Sequence, residues 1–450
     1  MKEKDRKAYH QILVLTLPIV IQKLFSAAVS SADVIMLNSV GQASISAVSL
    51  AVQYTTILHM IHTGVGSGLA MLCSQYWGKG NLKAIEKVEG IALRFGVLSG
   101  FVFMLASLCV PELMMKIYTD DPELISIGAT YLQVVSVSYL CLGISEVYLS
   151  VLRSIERVKI STVLNVSALL LNIALNAVFI YGWFGLPKMG AAGVALATSV
   201  SRVVQLIACF AVSAVSKDVK LRLSSMFWKS GVLLKDFLKL SVPALLNDMI
   251  WGIAFSSYSI IMGHMGSDVV AANSIASVVR SLGTTACHAV GNASAIYLGK
   301  EIGANQLEEA KEDGKRTLKL AIVTGLLGGG AVLLMSPFVL QFAKLSDTAM
   351  GYLKIMLIIN SYYIMGISIN SILTAGVFRS GGDSKWGLIC DSINMWCYAV
   401  PFAFLSAFVF KWPPMIVYFI ICTDEFMKLP FALKHFFGWK WLRNITRENV

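Results

Sequence analysis

Residues 15–80 read LTLPIVIQKLFSAAVSSADVIMLNSVGQASISAVSLAVQYTTILHMIHTGVGSGLAMLCSQYWGKG, and this stretch decides the fold because it is long, apolar and repeated. Sliding the sequence by 225 positions, half of its 450 residues, aligns the stretch with the second half of the chain without a gap. Such an offset indicates duplication into two lobes of one fold. Identical pairs are Pro18 and Pro243, Ser31 and Ser256, Ile35 and Ile260, Gly41 and Gly266, Ala47 and Ala272, Ser49 and Ser274, Ala51 and Ala276, Gly66 and Gly291, and Gly78 and Gly303. At an offset of 226, Val151 matches Val377, Arg153 matches Arg379, Ser154 matches Ser380 and Lys159 matches Lys385.

The composition indicates a membrane protein, since 56% of the residues are hydrophobic and only 14% are charged. An apolar run of about 20 residues is needed to cross a hydrocarbon core of about 30 Å. The candidate spans are 12–37, 46–73, 88–110, 126–152, 160–182, 190–215, 237–263, 269–298, 318–342, 350–377, 386–409 and 413–436. The sequence therefore predicts an all-α integral membrane protein with twelve transmembrane helices in two pseudo-symmetric six-helix lobes. The N-lobe covers 1–215, a cytoplasmic linker covers 216–236, and the C-lobe with a short tail covers 237–450.

The net charge of +11 suggests nucleic-acid binding until the positions of the charges are considered. We find 28 lysines and arginines in alternate connections, and the opposite set of connections holds only Lys116, Lys188, Lys344 and Lys411. By the positive-inside rule, both termini are predicted to be cytoplasmic, in a multi-pass protein of the plasma or inner membrane. The basic charge then reports topology, and no nucleic-acid partner is predicted. The first span is too long for a cleaved signal peptide, so it is predicted to be a retained helix.

The segment 216–236 and the cysteines are interpreted as structural features and not as functional sites. Hydrophobic residues among the charges of 216–236 predict either a helix lying on the cytoplasmic membrane face or a solvated linker. The eight cysteines, from Cys73 to Cys422, have no zinc-type spacing and are interpreted as small core residues.

Asp33 is the candidate functional residue of the first span. A carboxylate near the middle of a bilayer costs about 2.5–3.5 kcal/mol, so such a group usually faces a wet cavity and works there. Its counterpart in the second lobe is Tyr258, so the acid is not part of a symmetric scaffold. Asn172 and Asn176 lie four residues apart on one helix face, and Thr198 lies on the next span. Together these side chains predict a small oxygen-rich site for a proton or Na⁺, although each alone is also typical of a hydrogen bond between helices.

The second lobe offers a weaker set of polar residues. Asn247 and Asp248 follow Pro243 by one turn, and Asp391 lies in a later span, so these residues form a possible second ion or substrate site. Asp424 and Glu425 are interpreted as partners of Lys428 in an ion pair at a helix end. In the first lobe Glu146 is buried by pattern and is predicted to bind either a cation or Arg202.

These residues resemble the multidrug and toxic compound extrusion (MATE) transporters. The resemblance covers nearly the whole chain and rests on SQYWGKG after the second span, GLPKMGAAGVALATS before and within the sixth, and VPALLND and FRSGGD in the second lobe. It implies two six-helix lobes that rock about a central cleft and export organic cations and other amphipathic compounds in exchange for H⁺ or Na⁺. The cation site of the family falls on Asp33, Asn172, Asn176 and Thr198. Members often carry aspartate where this chain has Asn176, and the acidic site of the family's second lobe does not align cleanly with Asp248.

The sequence thus predicts a secondary multidrug antiporter rather than an enzyme. It acts as a monomer on small amphipathic molecules, with membrane lipid around it, no cofactor except the coupling ion, and no metal except Na⁺. The alternative is a flippase for a lipid-linked or oligosaccharide substrate, which needs basic residues to hold phosphate, and the candidates are Arg202, Arg280 and Arg94. An ATP-driven pump is excluded by pattern, because Gly78 and Lys79 are followed by Gly80 and not by Ser or Thr.

Overall fold

The computed structural model describes residues 3–38, 40–229 and 231–448, and nearly all of them are helical. The α-helices are α1 (Glu3–Asn38), α2 (Gln42–Gly78), α3 (Leu82–Cys109), α4 (Pro111–Lys116), α5 (Pro122–Ser154), α6 (Val158–Tyr181), α7 (Gly190–Val215), α8 (Gly231–Gly263), α9 (Ser267–Gly303), α10 (Leu307–Phe342), α11 (Asp347–Ser371), α12 (Ser384–Ile393), α13 (Val400–Phe404), α14 (Pro414–Ile421) and α15 (Asp424–Phe437). Segments of π-helix at Ile372–Phe378, Asn394–Ala399 and Leu405–Val409 continue these helices. Short 3₁₀ turns lie at Trp183–Gly185 and Leu223–Phe227.

The helices have the length and composition of membrane spans. Among the described residues, 10 helical stretches are long and apolar enough to cross a bilayer. The remaining two predicted spans fall on α9 and on the pair α14 and α15, which the sequence breaks between Ile421 and Asp424. Large apolar side chains are exposed along α10, where Leu327, Leu334 and Phe338 are 69%, 76% and 66% accessible. Lipid is the environment in which such exposure is stable, so the prediction of an all-helical membrane protein is confirmed.

The duplication also appears in the packing of helices. A Cβ atom added to Gly100 on α3 would lie 3.0 Å from the Cα of Leu140 on α5. A Cβ atom added to Gly325 on α10 would lie 3.0 Å from the Cα of Met365 on α11. Both residues of the second pair lie 225 positions after those of the first, so the two halves share a close backbone approach as well as a sequence pattern.

Contacts divide the chain into two compact units. We call Ile21–Trp77 together with Asn81–Leu245 the N-unit, and Met1–Val20, Gly78–Gly80 and Leu246–Glu448 the C-unit. Helices α1 and α8 therefore each belong to both units, and each changes unit two residues after a proline inside the helix, Pro18 or Pro243. The lobe limits at 215 and 237 are a separate prediction, which these contacts do not test.

The segment between the lobes is not a helix on the membrane surface, and its backbone contacts α3. Arg94 on α3 donates hydrogen bonds to the carbonyl of Met226 and, at 2.5 Å, to that of Trp228. Val219 and Leu221 are buried, whereas Phe227 is exposed. The predicted surface helix is therefore wrong for the described residues, which form only the 3₁₀ turn Leu223–Phe227. The segment keeps exposed residues, but its backbone is held against α3, and the seventh helix begins at Gly231.

The cysteines are only partly core residues. Cys73, Cys141, Cys209, Cys287 and Cys422 are buried, as predicted, and Cys390 is half-buried. Cys109 and Cys397 are exposed, so the core interpretation is wrong for these two.

Candidate functional site

A chain of hydrogen bonds in the N-unit joins the four predicted cation-site residues. The Asn176 amide nitrogen donates to a carboxylate oxygen of Asp33 at 2.5 Å and to the amide oxygen of Asn172 at 3.3 Å. The Asn172 amide nitrogen donates to the hydroxyl oxygen of Thr198 at 3.2 Å. Thr198 donates its own proton to the carbonyl of Val194 at 3.0 Å. The structure therefore brings Asp33, Asn172, Asn176 and Thr198 together.

Three helices position these groups. Asp33 lies near the end of α1, the two asparagines lie one turn apart on α6, and Thr198 lies on α7, which packs along α6. Spacing of four residues places Asn172 and Asn176 on the same face of α6. The Asn176 amide nitrogen therefore donates in both directions, to Asp33 and to Asn172, and the donated hydrogen bonds continue from Asn172 to Thr198.

The arrangement presents oxygen atoms that need a proton or a cation. The side-chain oxygen of Asn176 is buried and has no hydrogen-bond partner among the described residues. Asp33 is half-buried, and no described Lys, Arg or His forms an ion pair with it. A buried acceptor beside a carboxylate without a counter-ion is costly. These two oxygens are the acceptors in the N-unit that could hold a proton or a cation.

In the C-unit the predicted second site is only partly assembled. The amide nitrogen of Asn247 donates to the carboxylate of Asp391 at 2.8 Å, so these two predicted residues do meet. Asp248 does not join them, because its carboxylate pairs with the guanidinium of Arg379 at 3.2 Å. The neighbouring positions 247 and 248 point to different sides of α8, and this geometry removes Asp248 from the predicted set.

Lys428 is the centre of the C-unit polar cluster. Its ammonium lies 2.9 Å from Asp391 and 2.8 Å from Glu425, and only 3% of the side chain is accessible. It also lies over the ring of Trp251. The interpretation as an ion pair at a helix end is correct for Glu425 but understates the burial and misses Asp391.

Asp424 differs from its neighbour in its partners. It accepts a hydrogen bond from the hydroxyl of Tyr258 at 3.4 Å and one from the backbone amide of Glu425 at 2.6 Å. No ion pair joins it to Lys428 among the described residues, so the predicted pairing of these two is wrong.

Glu146 lies among basic side chains in the N-unit. Its carboxylate is 3.7 Å from the guanidinium of Arg153 and also interacts electrostatically with Arg202 and His59. The predicted partner Arg202 is therefore near, but Arg153 is the residue in ion-pair distance.

Sequence reasoning missed three residues of these clusters. Arg153 was counted as a loop charge, because it directly follows the fourth predicted span. Lys23 lies inside the first predicted span, so the signal was present, and the structure places it near Arg153. Tyr131, fully buried beside Asp33, gave no signal because tyrosine is common in helical cores.

Comparison with known proteins identifies relatives over most of the chain. The family model MatE matches residues 18–178 and 243–405, two segments that begin 225 positions apart. The uncharacterized transporter YisQ of Bacillus subtilis is 25% identical over 402 residues, covering 87% of this chain and 86% of the relative. The multidrug resistance protein PmpM of Pseudomonas aeruginosa is 23% identical over 404 residues, covering 88% of this chain and 83% of the relative.

Solved structures show the same fold. A crystal structure described as MATE in the straight conformation matches with a TM-score of 0.86 at 19% identity, with 96% of both chains covered. A structure of the Vibrio cholerae MATE transporter VcmN, a mutant form, matches with a TM-score of 0.87 at 14% identity, covering 97% of this chain and 99% of that one.

Proposed function

Because the chain belongs to the MatE family of multidrug and toxic compound extrusion transporters, we propose that it is a secondary antiporter that exports amphipathic compounds, organic cations included, in exchange for H⁺ or Na⁺ bound at Asp33. The relatives named as multidrug resistance proteins support efflux as the class of transport. The charged clusters of the chain lie within membrane helices, where such groups typically serve the passage of ions or substrates, so we propose transport and not an enzymatic reaction.

The observation that carries the proposal is the pairing of Asp33 with an amide instead of a cation. Asn176 gives the carboxylate one strong hydrogen bond and no charge. A carboxylate in this position changes its net charge whenever an ion arrives or leaves, whereas a carboxylate locked against arginine would stay neutralised. Asp33 is thus suited to reversible loading.

Movement of α1 is the proposed link between loading and transport. Pro18 removes one backbone hydrogen bond of α1 and weakens the helix there. The helix passes from the C-unit to the N-unit just after this proline, so a bend at Pro18 changes the position of Asp33 relative to the start of the helix. Binding of the ion would favour one of two α1 conformations and so release the exported compound.

The energy for export depends on the charges exchanged. One charge moved through 100 mV is worth about 2.3 kcal/mol. One-for-one exchange of a monovalent cation for a monovalent organic cation moves no net charge, so only the ion gradient drives it.

We propose that the monomer works in the plasma or inner membrane with both termini cytoplasmic.

Asp33→Asn tests the proposal. In vesicles with an imposed pH or Na⁺ gradient, one gradient at a time, we expect gradient-driven ethidium transport to fall by at least about 100-fold, because the amide cannot take up a charge-compensating ion. Asp347→Asn, at an exposed helix start, is the matched control. Thermal unfolding in detergent checks that both variants fold. Transport by Asp33→Asn at the control rate would refute the role of Asp33.

A flippase for a lipid-linked substrate is the second candidate. The observation that favours it is the presence of Lys23 near Arg153, and of Arg202 near the Glu146 carboxylate that pairs with Arg153, since a phosphate headgroup needs basic partners. Comparing ethidium release with flipping of a fluorescent phospholipid in the same vesicles separates the two candidates.

A further inference from the structure

We propose that the N-unit binds an anionic group of the transported molecule between Lys23, Arg153 and Arg202, so that the substrates include amphipathic carboxylates, phosphates or sulfonates. The proposal rests on the transport function above and names the substrate class of the same lobe.

The three basic side chains lie on three helices and are connected through Glu146. Lys23 on α1 interacts electrostatically with Arg153 at the end of α5. Glu146 on α5 interacts with both Arg153 and Arg202, the latter on α7. Glu146 is the one carboxylate in ion-pair distance of any of the three in the described part of the chain, at 3.7 Å from Arg153. The cluster therefore carries three positive charges against one negative charge.

The repeat makes this excess of positive charge informative. Arg153 corresponds to Arg379 at the offset of 226, and Lys23 corresponds to Asp248 at the offset of 225. In the C-unit these positions form an ion pair at 3.2 Å. In the N-unit the same positions place a lysine beside an arginine. At this position of the repeat the C-lobe arginine meets an acid and the N-lobe arginine meets a lysine, so the carboxylate partner of Arg153 is instead Glu146 on its own helix.

Arg202 repeats the contrast one helix away. Its counterpart at the offset of 226 is Lys428, whose two carboxylate partners are Asp391 and Glu425. The N-lobe positions that correspond to those partners are Asn165 and Ser199, and neither can carry a negative charge. The offset of 226 agrees with the helix just before α7, since α6 and α12 begin 226 positions apart, at Val158 and Ser384.

The side-chain amide nitrogen of Gln205, a buried hydrogen-bond donor beside Arg202, is a second and separate indication of a ligand. The guanidinium of Arg202 donates to the side-chain oxygen of Gln205 at 2.8 Å. This fixes the Gln205 amide so that its nitrogen, in a side chain only 1% exposed, has no acceptor among the described residues. Buried amide donors without acceptors are rare and costly. An anion beside Arg202 supplies an acceptor as well as a charge.

The chemistry of the cluster fits a planar or tetrahedral anion. Arginine donates two parallel hydrogen bonds to carboxylate or phosphate oxygens, and lysine adds a point charge. Lys23 is exposed, although surrounding protein atoms remove part of its hydration, so a ligand can reach it. An excess of positive charge within membrane helices is costly, and a bound anion offsets it as the carboxylates do in the C-unit.

The test uses two probes with the same apolar body and opposite charge. Binding of 1-pyrenebutyrate and of a pyrenebutyl trimethylammonium salt to the full chain in nanodiscs is measured by pyrene fluorescence. We expect the carboxylate to bind at least about tenfold more tightly than the cation. Lys23→Asp and Arg202→Gln should each weaken carboxylate binding about tenfold, the size of one charge-assisted hydrogen bond. Neither should weaken binding of the cation.

Arg280→Gln is the matched control, because this arginine is also interior but lies over the rings of Phe255 and Tyr363 in the C-unit. Lys23→Asp creates the acid and arginine pair that the C-unit already contains, so it should fold. If Lys23→Asp does not fold, as judged by thermal unfolding in detergent, Lys23→Gln replaces it in the binding experiment. Equal binding of the two probes by the unchanged protein, or variants that weaken both probes alike, would overturn the proposal.

Two competitors identify the source of the anion. Displacement of pyrenebutyrate by decyl phosphate alone indicates a free amphipath, and displacement by phosphatidate in the nanodisc indicates a lipid headgroup. Displacement by neither argues against the site. Asp33→Asn should abolish gradient-driven transport yet keep the preference for the carboxylate. A failure of the coupling proposal is thus distinguishable from a failure of this one.

Discussion

The two lobes use the same positions of the repeat for opposite purposes. Where the N-lobe has Asp33, the C-lobe has Tyr258, and where the N-lobe has Thr198, the C-lobe has Asp424. Acid and hydroxyl have changed places. In the C-unit the hydroxyl of Tyr258 donates to Asp424, whereas in the N-unit Asp33 and Thr198 are joined only through the two asparagines of α6.

The difference lies in how the carboxylates of each cluster are neutralised. In the C-unit, Asp391 and Glu425 enclose Lys428, and the amides of Asn370 and Asn394 donate to Glu425 and to the carbonyl of Asp424. In each unit one asparagine side-chain oxygen lacks a partner among the described residues, that of Asn370 in the C-unit and that of Asn176 in the N-unit. Asp33, however, accepts its hydrogen bond from a neutral amide and forms no ion pair with a described residue. Acids that enclose a lysine are already neutralised, whereas an acid without a counter-charge can take up an ion. The N-unit is therefore the better candidate for coupling.

The largest expected effect comes from breaking the C-unit cluster. Lys428→Met leaves Asp391 and Glu425 buried without their cation, and removal of one partner from a buried ion pair costs about 3–5 kcal/mol. Thermal unfolding in detergent should show a large loss of stability. Arg202→Met at the matching N-lobe position should cost clearly less, because no pair of carboxylates surrounds it. Equal losses in the two variants would remove the contrast between the lobes.

A packing asymmetry should give the next largest effect. A Cβ atom added to Gly68 on α2 would lie 2.8 Å from the Cβ atom of Ser241 and 3.0 Å from its Cα atom. The C-lobe counterpart is Ala293, which accommodates a Cβ atom while fully buried. We expect Gly68→Ala to destabilise the protein by about 1–3 kcal/mol through overpacking. Gly330→Ala, with no atom within 4 Å of the added methyl group, is the control and should be neutral or slightly stabilising.

Adding a carboxylate to the N-unit site sharpens the comparison further. Asn176→Asp places a second acid 2.5 Å from the position of Asp33. Two carboxylates this close cannot both ionise without a cation between them, so ion binding should strengthen. We expect the Na⁺ or H⁺ concentration for half-maximal efflux to fall about tenfold. Phe402→Asp, the equivalent change in the C-lobe, should leave that concentration unchanged.

The smallest effect concerns an acidic pair of the C-unit whose positions at the offset of 225 are Tyr76 and Val88. Glu301, beyond the predicted span 269–298, is half-buried beside Asp313, and this partial burial followed by the neighbouring acid raises the pKa of Glu301 to about 9. A carboxyl whose pKa is higher in the folded state contributes fully to stability below its unfolded pKa of about 4.5 and loses that contribution as the pH rises through about 9. The Tm should therefore fall over this range.

Glu301→Gln, which keeps the neutral form at every pH, should flatten that fall by a few degrees. Melting curves in detergent at about pH 5, 7 and 9 measure the effect. Glu312→Gln, at an exposed position on α10, is the control. If the Tm of Glu301→Gln and that of the unchanged protein depend on pH in the same way, the Glu301 carboxyl is not held neutral in the folded state.

Much of the fold was predictable because membrane insertion leaves few options. Apolar runs had to be helices, since lipid satisfies no backbone hydrogen bond, and the offset between Pro18 and Pro243 revealed the duplication. Asp33 could be singled out because a single acid in an apolar run stands out, and the structure brings the four residues predicted around it together. The predictions for Asp248 and for a surface helix between the lobes failed because partners 131 and 132 residues away decided them.

The sequence by itself determined the helical membrane fold, the duplicated halves and the acid present in only one of them, because local hydrophobicity and repetition are written along the chain. Only the tertiary structure decided which charges are neutralised. Lys428 and Lys23 are both lysines within or beside apolar helices, yet one is enclosed by carboxylates and the other faces an arginine. Electrostatic energy depends on distances between helices, and sequence spacing does not fix those distances.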